Sequence, residues 1–445
     1  MSIRNNDIYN IFYDLLSSIV DDLRRDFIET QQDQLISLRR EVFHKFYAVE
    51  NIKRDSEKVP VGFVDAGFKP YQLDVSIIIP IQISGIVRDE NGKLHKIKNL
   101  LDKPVNDFLM LYSSRKRREN KYIFTIKIKS FYDNSLLFNK REDAEEASRE
   151  INKLLLDISG STIFESPKSF VRLTKYIEGL LELAYALKLL LLLEENGSIV
   201  PRYIVLDGTL IKWFSIPRSP RGVDGLDILS IILGISVDEI KKYLFRIVGL
   251  SKTSKFTNII RSHSLFHAKK PDIINGRGLY SLVDLEGIGE AAKILEEYWG
   301  RGGSKDFVRE TIHIFNRIVY SNYGVYVSRF PITPDYKNVF ILDIYLDQPI
   351  IDLGKEKVVV NKDKASNVNP YISYIVNTMM HYRTRAIGEP PFGYMEIDND
   401  VRFREDRRKF FEQAFRRILR SRGDLSSRIL EQVFSPTTRM RYGYR

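Results

Sequence analysis

Tyr203-Ile204-Val205-Leu206-Asp207-Gly208-Thr209-Leu210 is the stretch on which the reading of this chain turns. An uninterrupted apolar run ending on a carboxylate predicts a short strand buried on both faces, with its last side chain at the rim of a sheet. Gly208 and Thr209 turn the chain, and Leu210 to Phe214 is expected as a second strand. The same form occurs earlier in Val61-Gly62-Phe63-Val64-Asp65, followed by Ala66-Gly67. Between the two lies a long helix predicted over 169–195 and closed by Asn196-Gly197. Further strands are predicted over 73–87, ending at the turn Asp89-Glu90-Asn91-Gly92, and over 122–131, where Ile alternates with Lys and Thr. Downstream the pattern gives helices at 225–246, 288–299 and 305–320, and strands at 324–330 and 338–347. A hairpin near 352–357 and a helix from Pro370 to Arg385 follow. Strands early, helices between and strands again late make a mixed α/β sheet flanked by helices.

The chain has 445 residues, 43% of them hydrophobic and 29% charged, enough to bury a core and unlike a disordered chain. It contains no Cys, which excludes thiol catalysis, Cys-ligated zinc and disulfides. With only six His, any metal site must be mostly carboxylate. The most apolar run, Leu180 to Leu193, contains Glu182 and Lys188 and is too short to span a bilayer. The acidic, amphipathic N-terminus does not read as a secretory signal, so a soluble, cytoplasmic protein is expected. Absence of Cys, abundant Ile and dense mixed charge suit a hot environment.

Three segments are expected: a helical arm over 1–57, a central α/β domain over 58–401 and a basic extension over 402–445. In the arm, Ile8, Phe12, Leu15, Ile19, Leu23 and Phe27 recur every three or four positions, and Val42, Phe46 and Val49 resume the stripe. Such an arm packs on a neighbour or makes a homodimer. The extension holds twelve Arg and one Lys against five acids, +8 of the formal +11. It begins as a helix over 404–422 with Phe410, Phe411, Phe415, Ile418 and Leu419 among the arginines, and ends in a basic tail, 435–445. Arg407, Arg408, Arg416, Arg417 and Arg420 are the candidate DNA-contacting residues, neutralising phosphate while aromatics stack on bases. The plainer reading is a solvated helix whose Arg stems cover an apolar face.

Asp65 and Asp207 each end an apolar strand beside Gly. A strand end fixes a carboxylate rigidly, and Gly lets a ligand approach closely. Two such carboxylates suit Mg²⁺ or Mn²⁺, hard cations that prefer oxygen. Two metals about 4 Å apart would clamp the attacking and leaving oxygens of a phosphodiester. Asp-Gly also simply makes turns.

The order of pieces carries more. A strand ending on Asp65, a long acid-bearing helix, Asp207-Gly208-Thr209-Leu210, then Gly249-Leu250-Ser251-Lys252 and Asn369-Pro370-Tyr371 opening a helix resembles the NurA family of DNA-end-processing nucleases. The resemblance covers roughly 58–422 and implies an RNase H-like core that uses divalent metal, usually Mn²⁺, to cut DNA. It further implies a 5′–3′ exonuclease and single-strand endonuclease that works in double-strand break end resection, as a homodimer beneath a HerA-type hexameric translocase. Asp65 and Asp207 would then be metal ligands. Glu182, or Glu178 one turn earlier, would be the family's helix-borne acid. Lys252 would position water or stabilise charge on the transferring phosphoryl group.

One segment departs from the family pattern. Where members carry His after the Tyr-Pro-led stretch, this chain has Asn377, and His381 sits one turn later. Either the imidazole of His381 or the amide oxygen of Asn377 would serve as ligand, or the metal position is degraded. The competing class is therefore a NurA-like DNA-binding or structural paralogue that cuts poorly. A guide-dependent nuclease of the Argonaute type has no recognisable guide-end pocket to support it.

Overall fold

A computed structural model describes residues 13, 15–23, 25, 34–53, 56–73, 75–118, 121–157, 167–196, 199–210, 225–252, 278–316, 325–329, 340–382, 390–402 and 405–433. The chain forms two compact units, one of Val59–Asp207, Lys212–Ile247 and Phe392–Arg445, the other of Met1–Lys58, Gly208–Ile211 and Val248–Pro391. In chain order the elements are α1 (Gln34–Phe46), β1 (Tyr47–Asn51), β2 (Val61–Phe68), β3 (Tyr71–Gln72), β4 (Ser76–Arg88), β5 (Leu94–Lys96), α2 (Ile97–Leu100), β6 (Asn106–Arg118) and β7 (Lys121–Ser130). They continue with α3 (Arg141–Asp157), α4 (Pro167–Glu195), β8 (Tyr203–Asp207), α5 (Gly225–Leu233), α6 (Val237–Leu244), β9 (Ile247–Ser251), β10 (Leu279–Val283), α7 (Gly287–Gly300) and α8 (Lys305–Asn316). Last come β11 (Val325–Arg329), β12 (Ile341–Leu346), β13 (Ile351–Leu353), β14 (Val358–Val360), α9 (Lys362–Met379), α10 (Tyr394–Val401), α11 (Glu405–Arg422) and α12 (Leu425–Val433).

In the first unit, strands run in the order β8-β2-β4-β6-β7, with β3 and β5 added to β4. β2 and β8 are parallel, and the other pairs are antiparallel, so the sheet is mixed as expected. Val64 lies opposite Leu206, so the residues that follow, Asp65 and Asp207, leave the same end of neighbouring strands. Parallel neighbours need a crossover, and α4 supplies its long helix, packed on β2, β4 and β8. That helix is apolar nearly all round, with Leu180, Leu181, Leu183, Leu187, Leu189 and Leu190 buried, as a helix laid across a sheet and covered by others must be. α10 packs on β2 and β4. The other unit contains an antiparallel β9-β12-β11 ladder and the pairs β1-β10 and β13-β14.

Several elements differ from their sequence reading. The arm helix stops at Phe46, and Tyr47–Asn51 is a strand antiparallel to β10. Phe46 stacks on Phe315 at 4.2 Å, with Tyr47 edge-on to both, and that cluster holds the switch from helix to strand. The helix over 225–246 is two helices; Ser236 caps the second by accepting from the Glu239 N–H at 3.2 Å. The helix expected to open at Pro370 opens eight residues earlier, where Asn361 accepts from the Lys364 N–H, and Pro370 lies inside it. β6 and α3 were not foreseen. The expected strand over 210–214 beyond Leu210, the loop after it and the tail 435–445 lie outside the described residues. No helix among the described residues is long and apolar enough to cross a membrane.

Candidate metal centre

Three carboxylates converge in the first unit. Each of Asp65, Asp207 and Asp398 offers an oxygen within 4.8 Å of the other two. Asp65 comes from β2 and is buried, Asp207 ends β8 and Asp398 lies one turn into α10. Strand pairing fixes the first two. The third depends on the placement of α10, whose start is pinned from several sides. Arg88, fully buried on β4, donates to the Phe392 carbonyl at 2.8 Å, and its guanidinium lies 5.5 Å from the centre of the Phe63 ring. Gly393 has φ +110°, and a Cβ there would come within 2.4 Å of the Phe63 ring, so the position requires glycine. The Glu396 carboxylate accepts from the Gly393 N–H at 2.7 Å, and Gln82 on β4 donates to the Asp400 carbonyl at 2.9 Å.

Tyr394 opens the helix and lies on Asp398's face, four residues away. It is buried, and its hydroxyl donates to Asp207 Oδ1. Burial, then the charges of Asp207, Asp65 and Asp398, holds its ionisation well above the ordinary phenol range. Tyr394 therefore keeps its proton and acts as a fixed donor that orients Asp207. Asp65 Oδ1 accepts from the Ala66 N–H at 2.7 Å, which fixes that carboxylate in turn. Three oxygen donors gathered this closely repel one another unless a cation joins them, and their chemistry matches a hard divalent ion. The donor set fits Mg²⁺ or Mn²⁺, and Asp65, Asp207 and Asp398 could hold it.

Glu178 and Glu182 are both buried on α4, the helix packed on β2 and β8. Neither joins the 4.8 Å cluster among the described residues. Lys252, Asn377 and His381 belong to the other unit. Asn377 is tied up structurally: its Oδ1 accepts from the Lys53 N–H at 2.7 Å and its Nδ2 donates to the Ser373 carbonyl at 2.7 Å. His381 Nδ1 meets Ser56 Oγ at 2.9 Å, and the same hydroxyl bonds the Asn377 carbonyl at 3.0 Å. Lys252 follows the last residue of β9 and is half-buried. The Gly208-Thr209-Leu210 turn has its own fold role in that unit. Thr209 and the Leu210 N–H both donate to Asp343, fully buried on β12, and a Cβ on Gly249 would sit 2.7 Å from the Gly208 carbonyl.

Among the candidate DNA-contacting arginines, Arg408 lies 3.7 Å from Glu412, Arg416 Nε donates to the Glu412 carbonyl at 3.3 Å, and Arg420 pairs with Glu431 on α12. Arg417 is exposed, and the side chain of Arg407 lies outside the described residues.

Asp398 and Tyr394 were missed. A signal existed: Tyr394, Ile397 and Val401 are spaced as one buried helical face after the Pro-Pro-Phe-Gly turn.

No family model matches the sequence, and no curated protein matches it. Among solved structures, the fold is similar to the NurA nuclease from Sulfolobus solfataricus, with 14% identity, 92% of this chain and 97% of that chain covered, and a TM-score of 0.39. A second NurA structure is 10% identical over 93% of this chain and 97% of its own, with a TM-score of 0.27. TM-scores this low carry no weight for this chain's function.

Proposed function

We propose that this chain is a divalent-metal-dependent nuclease that hydrolyses phosphodiester bonds in DNA. One observation carries the reading: the Asp65–Asp207–Asp398 cluster, built from two parallel strand ends and one pinned helix. A bound divalent ion would polarise the phosphoryl oxygen and supply a hydroxide nucleophile near neutral pH. The chain's residues do the positioning. Tyr394 holds Oδ1 of Asp207, and the Ala66 N–H holds Oδ1 of Asp65. The likeness in sequence to the NurA family extends the proposal to Mn²⁺ as the preferred ion, to DNA ends as substrate and to a HerA-type hexameric translocase as partner.

The test is cleavage of plasmid and single-stranded DNA with Mn²⁺, with Mg²⁺ and with EDTA. Metal-dependent cleavage that EDTA and Asp207→Asn both abolish is expected. A folded Asp207→Asn protein that cuts at the wild-type rate, or a wild type inert with every divalent ion, would overturn it. The weakly cutting paralogue draws on a specific observation: Asn377 and His381, the ligands expected from the last helix, are engaged by Lys53, Ser56 and Ser373 instead.

A further inference from the structure

β6 and β7 outrun the sheet to which they belong. Pairing of β4 with β6 ends at Ser76 opposite Ser114, whereas β6 and β7 stay paired as far as Arg118 opposite Lys121. Residues 115–118 and 121–124 therefore form a two-stranded ribbon about 14 Å long beyond the last β4 pair. Its sequence is Arg115-Lys116-Arg117-Arg118-Glu119-Asn120-Lys121, five basic residues against one acid.

A strand with one face on a core alternates apolar and polar residues. Here charge falls on both faces. Arg115 and Arg117 lie on one, across from Phe124 and Tyr122, and Lys116 lies on the other, across from Ile123. The Arg115 guanidinium sits 4.7 Å from the centre of the Tyr122 ring and 5.9 Å from that of Phe170, which ties the base of the ribbon to α4. Lys116 and Arg117 are exposed.

The charge runs back onto the sheet through Lys127 and Lys129 of β7, both exposed, with Lys129 3.4 Å from Glu145. The ladders fix which face this is. Asp65 pairs with Ser84, Ser84 with Asn106 and Met110 with Lys129, so Asp65, Lys116, Lys127 and Lys129 share one face of the sheet. Lysines on an edge strand often serve only to block pairing with another chain. That edge is already closed by α3: Asn152 bonds the N–H and the carbonyl of Ile126 at 2.8 Å each, and Ser148 takes the Ile128 N–H at 2.7 Å.

A ribbon charged on both faces suits a site with phosphate on two sides. The major groove of B-form DNA, about 12 Å wide, admits a two-stranded ribbon, and one that enters tip first turns a face to each backbone. We propose that the β6–β7 ribbon is a duplex grip. Lys116 and Arg117 engage phosphates on the two walls of a groove of double-stranded DNA, and Lys127 and Lys129 carry the contact onto the face where Asp65 stands. Choosing DNA as the duplex rests on the nuclease reading; the grip itself does not.

The test is affinity of the full-length protein for a duplex of about 30 base pairs, read by fluorescence anisotropy in EDTA between about 50 and 200 mM salt. Lys116→Ala with Arg117→Ala should weaken binding at least tenfold at the lowest salt, equally on unrelated sequences, and lower the salt slope by about 2. Its melting curve should match the wild type, because both side chains are exposed. Two controls should bind within about twofold of the wild type. Lys241→Ala with Lys242→Ala removes the same charge from α6, and Lys116→Arg with Arg117→Lys keeps the charge on the ribbon. A wild type that does not bind duplex overturns the proposal. So does a ribbon variant with wild-type affinity and slope, as expected if the ribbon meets an acidic protein surface instead. An α6 variant weakened as much as the ribbon variant also overturns it, because net charge alone would then explain the loss. A wild type that grips duplex through Lys116 and Arg117 yet cuts nothing with any divalent ion supports the grip and overturns the nuclease reading alone.

Discussion

Asp398 joins Asp65 and Asp207 from the same face of an eight-residue helix as Tyr394, whose hydroxyl donates to Asp207. The two aspartates that the sequence exposed to view, Asp65 and Asp207, stand at the ends of apolar runs, where a buried strand has to meet the rim. Asp398 offered no such mark. It sits in Met395-Glu396-Ile397-Asp398-Asn399-Asp400, where any of four polar side chains could have faced solvent. Only the placement of α10, set by Gly393 against Phe63 and by Arg88 on the Phe392 carbonyl, selects it. Asn377 is a ligand candidate by register, and in the structure its side-chain oxygen accepts from the Lys53 backbone N–H. Tyr394→Phe removes the proton that orients Asp207 and leaves the three carboxylates in place. Metal affinity, read by isothermal titration, should fall about 10- to 100-fold, the usual cost of losing a partner that orients a ligand. An unchanged affinity would mean that Asp207 is held by the strand alone.

At the scale of elements, the sequence was most legible where one physical demand dominated. β8 is a pure apolar run and α4 is apolar nearly all round, and both lie within two residues of their expected bounds. β6 was invisible because it ends in Ser-Ser-Arg-Lys-Arg-Arg, a loop-like stretch that becomes a strand only by pairing with β7 along its length. β6 also carries Asp107, which is buried and accepts from the N–H groups of Leu136 and Leu137 at 2.9 and 2.8 Å. Burial outweighs those bonds and pushes the Asp107 carboxyl above its ordinary value. A group whose folded-state pKa exceeds its unfolded one binds protons more readily in the folded state. Its contribution is therefore full below the unfolded carboxylate value, about 3.9, and is lost as pH rises through the folded one. Melting temperature of the wild type, measured against Asp107→Asn, should fall as pH rises from that value toward neutrality. A constant difference across that range would show that Asp107 titrates normally.

Across the whole molecule, the charge asymmetry was plain in the sequence, but its disposition was not. On α11, Arg408 lies beside Glu412 and Arg420 pairs with Glu431, so these two arginines face carboxylates as well as solvent. Arg417 remains exposed on the flank of that helix. If the extension binds DNA, Arg417→Ala should weaken binding equally on unrelated sequences and lower the salt slope by about 1. An unaltered slope would place the DNA path elsewhere. The arm shows a similar limit. Its apolar stripe was readable, yet Tyr47–Asn51 leaves the helix because β10 offers a pairing edge that no local pattern announces.

The central claim is that Asp65, Asp207 and Asp398 bind one divalent ion together. Mn²⁺ titration followed by electron paramagnetic resonance tests it without reference to cleavage, on the wild type and on Asp65→Asn, Asp207→Asn and Asp398→Asn. The account predicts a bound-Mn²⁺ signal in the wild type that each single substitution weakens by at least about tenfold in affinity. A wild type that binds no Mn²⁺, or an Asp398→Asn variant that binds it as tightly as the wild type, would contradict the account.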